Sequence, residues 1–319
     1  MSIWIMLLLF VIGVALVVKG GDVFVDAASE IATELHIPKF LIGATIVSIA
    51  TTLPELMVSS FAAYRGQADM AIGNAVGSVI ANQGLIMAVA MIFMNYICKR
   101  KDYFVQSMLL IASVVLLYFT GKDGSVSLST NVIFVLIFFA YMIFNVMNAK
   151  KAVNEAKATS EETEKKDLTK HFILFVVGAA MIVLGSNFMV NYGGKIAEYF
   201  GVPERIIAVT LVAIGTSLPE LVTTISAIIK KEPSLSIGNI IGANILNITM
   251  VMPVASFVSG SFVSGSKLVI NEAAASFDLP FMVGLTLLAL LPIMIKERSY
   301  KVQGVCMLAA YVGYLIFVL

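Results

Sequence analysis

A 42-residue stretch occurs twice in this chain, each time in sequence apolar enough to cross a bilayer. Residues 41–82 read LIGATIVSIATTLPELMVSSFAAYRGQADMAIGNAVGSVIAN, and residues 206–247 read IIAVTLVAIGTSLPELVTTISAIIKKEPSLSIGNIIGANILN. They align without a gap at an offset of 165, with 16 positions identical. Leu53–Leu56 returns as Leu218–Leu221, Ile72–Asn74 as Ile237–Asn239, Gly77 as Gly242 and Asn82 as Asn247. Upstream, Gly13, Gly20, Ile31 and Pro38 return as Gly178, Gly185, Ile196 and Pro203. A period this long reads as duplication of a whole structural unit.

Apolar runs of the length that spans a bilayer, about 20 residues, recur ten times. They cover roughly 3–18, 40–64, 70–94, 103–120, 128–148, 171–190, 205–229, 235–258, 277–295 and 302–318. The chain of 319 residues is 59% hydrophobic and 13% charged, with mean hydropathy +0.96. Roughly 25% charge is ordinary for a soluble domain, so a soluble or disordered chain is excluded. Lys+Arg (21) and Asp+Glu (20) nearly cancel, leaving no basic field for nucleic acid. Cys98 and Cys306 make no disulfide framework, and His36 and His171 leave no room for a zinc cluster. The N-terminal run has no charged leader, so it reads as a retained first span rather than a signal peptide.

Ten spans and one duplication predict an all-α polytopic membrane protein. Residues 1–148 form a first five-helix repeat, 149–170 a polar cytoplasmic linker, and 171–319 a second five-helix repeat. An odd number of spans per half turns the second half upside down, which is the inverted-repeat plan of many secondary transporters. Of the 21 cations, 16 fall after odd-numbered spans, Lys19 among them, and 5 fall elsewhere. Positive charge favours the inside, so both termini are expected outside, in a multi-pass protein of the cell (plasma) membrane.

Glu55 and Glu220 lie mid-span at matching positions. A carboxylate at membrane depth is costly and marks a functional site by default. Each follows a proline, Pro54 or Pro219, that displaces a backbone carbonyl about one turn earlier, at Ala50 or Gly215. Thr51 and Thr216 precede the acids by four residues and so share their helix face. Carboxylate, hydroxyl and carbonyl oxygens make a hard ligand set suited to Ca²⁺ or Na⁺. Asn82 and Asn247, each 27 residues after its Glu, form a second station among small residues: Gly73, Gly77 and Ser78, and Gly238, Gly242 and Ala243. Spaced glycines on their own signal close helix packing. Asp22, Asp26, Glu272 and Asp278 read as solvated acids near span ends.

These motifs resemble the alpha-repeats of the cation/calcium antiporter superfamily, in its prokaryotic sodium/calcium exchanger branch. GATIVSIATTLPEL and AVTLVAIGTSLPEL are similar to its first motif, AIGNAVGSV and SIGNIIGAN to its second. The resemblance covers essentially the whole chain. It implies a central Ca²⁺ between Glu55 and Glu220 with the carbonyls of Thr51 and Thr216. It implies flanking Na⁺ sites at Ser48, Thr52 and Ser78, and at Ala213 and Ser217, with Asn82 and Asn247 as the amide positions. Two positions depart from the pattern. Asn247 stands where prokaryotic relatives often carry Asp, which argues against acid-linked K⁺ cotransport, and Ala243 stands where a Ser commonly supplies a Na⁺ ligand.

With both amides neutral, the two acids leave a site of two negative charges, matched by one Ca²⁺, two Na⁺ or two protons. The expected function is Ca²⁺/Na⁺ antiport by alternating access, extruding Ca²⁺, with Ca²⁺ and Na⁺ as substrates and the lipid bilayer as environment. No cofactor and no obligatory protein partner are inferred. A Ca²⁺/H⁺ antiporter on the same scaffold is the alternative, a channel fits an inverted repeat less well, and an intramembrane enzyme lacks a catalytic motif.

Overall fold

The structure is a computed structural model that describes residues 2–94, 100–159, 168–201, 213–260 and 268–318. Its elements are α1 (Ile3–Glu34), α2 (Lys39–Tyr64), α3 (Ala68–Phe93), α4 (Arg100–Gly121), α5 (Leu128–Thr159) and α6 (Leu168–Tyr199). A broken segment follows, α7 (Ala213–Thr216) and α8 (Leu218–Ile229), then α9 (Pro233–Val258), α10 (Ala274–Lys296) and α11 (Lys301–Val318). Among the described residues nine helices are long and apolar enough to cross a membrane, and α8 is a shorter apolar helix. The first part of the expected seventh span, residues 205–212, lies outside the described residues. A minimal antiparallel ladder, β1 (Ser125–Val126) with β2 (Leu268–Val269), ties the α4–α5 loop to the segment before α10.

The duplication is visible in the backbone. α1 and α6, α3 and α9, and the ends of α2 and α8 begin or stop at residues 165 apart. His36 and Gly201 take the left-handed conformation after α1 and α6, and Gly66 and Lys231 do so after α2 and α8. Non-glycine residues rarely adopt it, so the duplicated turns keep one geometry with different side chains. Contacts also pair reciprocally, as across a two-fold interface. A Cβ on Gly13 would meet the Gly185 carbonyl at 2.9 Å, and one on Gly20 would meet the Gly178 carbonyl at 3.1 Å. These glycines let α1 and α6 touch backbone to backbone.

Two expectations change. The first span is not 3–18 but a 32-residue helix, and Lys19 lies inside it rather than in a loop. Hydropathy marks the stretch that lipid tolerates, whereas a helix stops at a turn signal, here His36 and Pro38. At 1.5 Å per residue such a helix is about 48 Å long and must tilt or project from a ~30 Å core. The polar linker, whose composition also suits a partly helical segment, begins as helix, since α5 runs to Thr159; residues 160–167 lie outside the described residues. Finally, one of the acids read as solvated is not: half-buried Asp278 accepts the Tyr314 hydroxyl at 3.0 Å, whereas Asp26, 2.7 Å from Lys230, and Glu272 are exposed as expected.

The core is α2, α3, α8 and α9, ringed by the other helices. Within the apolar window of α9, 83% of residues are buried, and 72% in α3, against 17% in α1 and α5. α9 crosses α2 at Gly238 and Gly242: any Cβ on Gly238 would collide with the Phe40 carbonyl, and one on Gly242 would lie 2.6 Å from Ser48 Oγ. The matching Gly73 and Gly77 have no described residue within 4 Å, but the repeat partner of Phe40–Ala44 is 205–209, outside the described residues.

Candidate ion-binding site

Glu55 on α2 and Glu220 on α8 are fully buried and within electrostatic reach of each other. The two helices that carry them differ. α2 passes through Pro54 without a break, whereas α7 and α8 are separated by a turn at Ser217. The irregular stretch of α2 lies earlier, a π-helical segment at Gly43–Val47. There the Tyr141 hydroxyl from α5 donates to the Ala44 carbonyl. α3 and α9 each turn π-helical at the amide station, from Asn82 and from Asn247. A π-turn widens the backbone ladder and is common at functional sites.

Hydrogen bonds knit the halves together in reciprocal pairs. Thr51 Oγ1 donates to Asn239 Oδ1 at 3.1 Å, and Thr216 Oγ1 donates to Asn74 Oδ1 at 3.1 Å. Asn74 in turn donates to the Glu55 carbonyl at 3.2 Å and to Ser59 Oγ at 2.9 Å. Ser217 Oγ lies 3.5 Å from Glu55 Oε1, Ser78 also faces Glu55, and Thr51 faces Glu220. Ser78 and Thr216 hydroxyls are 3.4 Å apart. Asn82 donates to Asn244 Oδ1 at 3.1 Å.

The sequence-predicted residues thus converge, with different commitments. Thr51, Thr216, Ser78, Ser217, Glu55 and Glu220 form one buried cluster. Ser48 is buried beside it, its hydroxyl bonded to the Thr45 carbonyl at 3.0 Å. Thr52, Asn82 and Asn247 are buried with oxygens that accept no hydrogen bond, as are Glu55 Oε2 and both oxygens of Glu220. Ala213 opens α7, and its side chain lies outside the described residues. Asn74, Asn239 and Asn244 belong to the cluster although the sequence reading assigned them no role. Asn74 and Asn239 were detectable, being identical across the repeat within Ile-Gly-Asn; Asn244 faces Val79 in the repeat and carries no such signal.

Buried oxygens without partners are rare and call for an explanation. Two carboxylates, hydroxyls and amide oxygens could hold a hard cation, the donor set that suits Ca²⁺. A cavity of about 310 Å³ between α2 and α6, lined by Pro54, Phe61, Ser186, Val190 and Gly215 among others, touches this cluster at Thr216.

The sequence matches the sodium/calcium exchanger protein family over residues 5–147 and 170–319. It is 31% identical to the sodium/calcium exchanger MaX1 of Methanosarcina acetivorans over 97% of each chain. It is 26% identical to the Ca²⁺/H⁺ antiporter ChaA of Bacillus subtilis over 81% of this chain and 77% of that one. Its fold superposes on the sodium-calcium exchanger NCX_Mj, soaked with Na⁺ and Sr²⁺, with TM-score 0.83, 28% identity and 99% of each chain covered. A duplicated helical scaffold, a buried carboxylate pair and these likenesses agree: the chain belongs to the sodium/calcium exchanger protein family of calcium/cation antiporters.

Proposed function

We propose that this protein exchanges Ca²⁺ for Na⁺ by alternating access, with Glu55 and Glu220 as the central Ca²⁺ ligands. The observation that carries this reading is the buried pair itself: three of its four carboxylate oxygens accept no hydrogen bond, and oxygens of Thr52, Asn82 and Asn247 stand equally unmatched. Thr51 and Thr216 complete the Ca²⁺ shell, while Ser48, Thr52, Ser78, Ala213 and Ser217 serve Na⁺, through backbone carbonyls where a side chain lacks oxygen. The two acids give a site of two negative charges. One Ca²⁺ or two Na⁺ neutralise it, and a third Na⁺ leaves one positive charge. The bare site is costly to carry across a low-dielectric barrier, which suppresses uncoupled switching and enforces exchange.

The reciprocal contacts, with five long helices in the first half and four plus the broken α7–α8 segment among the described residues of the second, support an inverted repeat whose bundles rock around a fixed site. Both termini then face outside, and the linker lies in the cytoplasm of a cell-membrane protein that extrudes Ca²⁺ without a chemical step. A second reading, Ca²⁺/H⁺ antiport, is favoured by one observation. Ala243 offers no hydroxyl where its repeat partner Ser78 faces Glu55, so one Na⁺ site is short of a ligand.

Flux of ⁴⁵Ca²⁺ in proteoliposomes separates the two, under an imposed Na⁺ gradient or an imposed pH gradient. Na⁺-driven uptake is expected. Glu55→Gln and Glu220→Gln are each expected to abolish it, and near-normal flux in either variant refutes the site.

A further inference from the structure

Away from the carboxylate pair, three potential metal ligands meet where the end of α1 lies against the start of α6. Glu30 and Glu34 are four residues apart on one face of α1. His171 projects from the first turn of α6. One ligand atom of each lies within 4.8 Å of the others. The Glu34 side chain is only 10% exposed, and His171 is 19% exposed.

The geometry between Glu34 and His171 is unusual for an ordinary ion pair. His171 Nδ1 approaches Glu34 Oε1 to 2.9 Å, yet no aligned hydrogen bond joins them. Both Glu34 oxygens are buried and accept none. A buried carboxylate left so is costly, and an imidazole free to rotate would relieve it. Ligands of a common ion behave differently. Donor atoms about 2.0–2.2 Å from one Zn²⁺ sit roughly 3 Å or a little more apart and aim at the ion rather than at each other.

We propose that Glu30, Glu34 and His171 form a site for a divalent transition-metal ion of the Zn²⁺ class. An imidazole nitrogen with carboxylate oxygens suits such ions, whereas Ca²⁺ takes oxygen alone. Two histidines in the sequence do argue against a Cys/His zinc cluster. They leave open a site in which one histidine joins two acids 137 and 141 residues away, and only the fold brings those together.

The repeat shows that this site is not part of the duplicated machinery. The positions matching Glu30, Glu34 and His171 are Lys195, Tyr199 and Met6, which offer no comparable ligand set. The site therefore exists at one end of the α1–α6 pair, where a bound ion ties the first half to the second. It stands whether or not the Glu55–Glu220 pair carries Ca²⁺.

The test uses the purified full chain in detergent, stripped of metal and dialysed against micromolar Zn²⁺ alone, with bound metal measured directly. The Glu55→Gln/Glu220→Gln double variant removes the central pair as a competitor and is expected to bind one Zn²⁺ per chain. Adding His171→Ala or Glu34→Gln is expected to weaken that binding at least tenfold, and His171→Cys, which restores a Zn²⁺ ligand, to retain it. Thermal melts without metal identify any variant that fails to fold. Zn²⁺ binding that is absent from the double variant, or that folded His171→Ala and Glu34→Gln proteins keep in full, overturns the proposal.

Discussion

The Thr216 hydroxyl donates to the Asn74 amide oxygen at 3.1 Å, tying the broken α7–α8 segment to α3 beside Glu55. Its repeat counterpart, Thr51 to Asn239, has the same length, but the two asparagines are not equally engaged. Asn74 also donates to the Glu55 carbonyl and to Ser59, whereas the Asn239 amide nitrogen has no partner. At about 1 kcal/mol per hydrogen bond, Asn74→Ala should cost about 3 kcal/mol of stability and Asn239→Ala about 1. Thermal unfolding in detergent checks the order, and equal losses would show that the Asn74 network contributes nothing extra.

Ala243 provides a second asymmetry that can be removed. Ser78 faces Glu55 and lies 3.4 Å from Thr216. By the repeat, a serine at 243 would face Glu220 and Thr51. Ala243→Ser is expected to supply the missing oxygen and lower the Na⁺ concentration for half-maximal Ca²⁺ exchange several-fold. Ser78→Ala should raise it. Flux measured against Na⁺ concentration decides, and unchanged Na⁺ dependence in both variants would remove these positions from the Na⁺ sites.

The spans and the carboxylate pair were legible in the sequence because each rests on a strong local signal. Twenty apolar residues mark a span, and an acid within one has few benign explanations. Two other features were not legible. Lys19 was placed in a loop because hydropathy reports the membrane window, and a polar helix end does not interrupt the backbone ladder. The break at Ser217 could not be foreseen either, since TLPEL and SLPEL read alike while one stays helical and the other does not. Related motifs must take different shapes if two halves are to present one site to opposite sides in turn. That difference is a property of the conformation, and sequence alone does not carry it. Asn244 was missed for a simpler reason: it has no partner in the repeat, and its role arises only where Asn82 meets it across the core.

The α2–α9 crossing makes a prediction about stability alone. A Cβ at Gly242 would lie 2.6 Å from Ser48 Oγ and 2.9 Å from the Ala44 carbonyl. Backbone cannot yield there without moving the π-helical segment of α2. Gly242→Val is expected to cost about 1–3 kcal/mol, the range for overpacking. Gly313→Ala, which meets no described residue within 4 Å, should be neutral or slightly stabilising because alanine favours helix. Melting temperatures of the two variants in one detergent should therefore move apart.

The cavity lined by Ser186, Val190 and Thr216 is the route by which we expect ions to reach the pair from one side. Ser186 is almost fully buried and its hydroxyl has no partner. Ser186→Phe would place a ring in about 310 Å³ of space while leaving every oxygen of the cluster in place. Flux should fall at least tenfold, with Ca²⁺ binding to detergent-solubilised protein retained. Full flux would mean that ions enter elsewhere.

Asn247 offers the most direct test of the charge argument. It is fully buried, and neither its amide oxygen nor its amide nitrogen has a partner. Asn247→Asp preserves its shape and adds a third acid to the two that Ca²⁺ neutralises. A site with three negative charges keeps one of them when Ca²⁺ alone is bound, so closure should require a proton or a monovalent cation alongside. Ca²⁺–Ca²⁺ self-exchange by the variant in Na⁺-free medium is then expected to depend on external pH or on added monovalent cation, where that of the parent protein does not. If the charge balance gates closure, flux without such a co-ion should fall at least tenfold and recover when it is supplied. Flux that stays at the parent level with no co-ion would show that the pair's charge does not control switching.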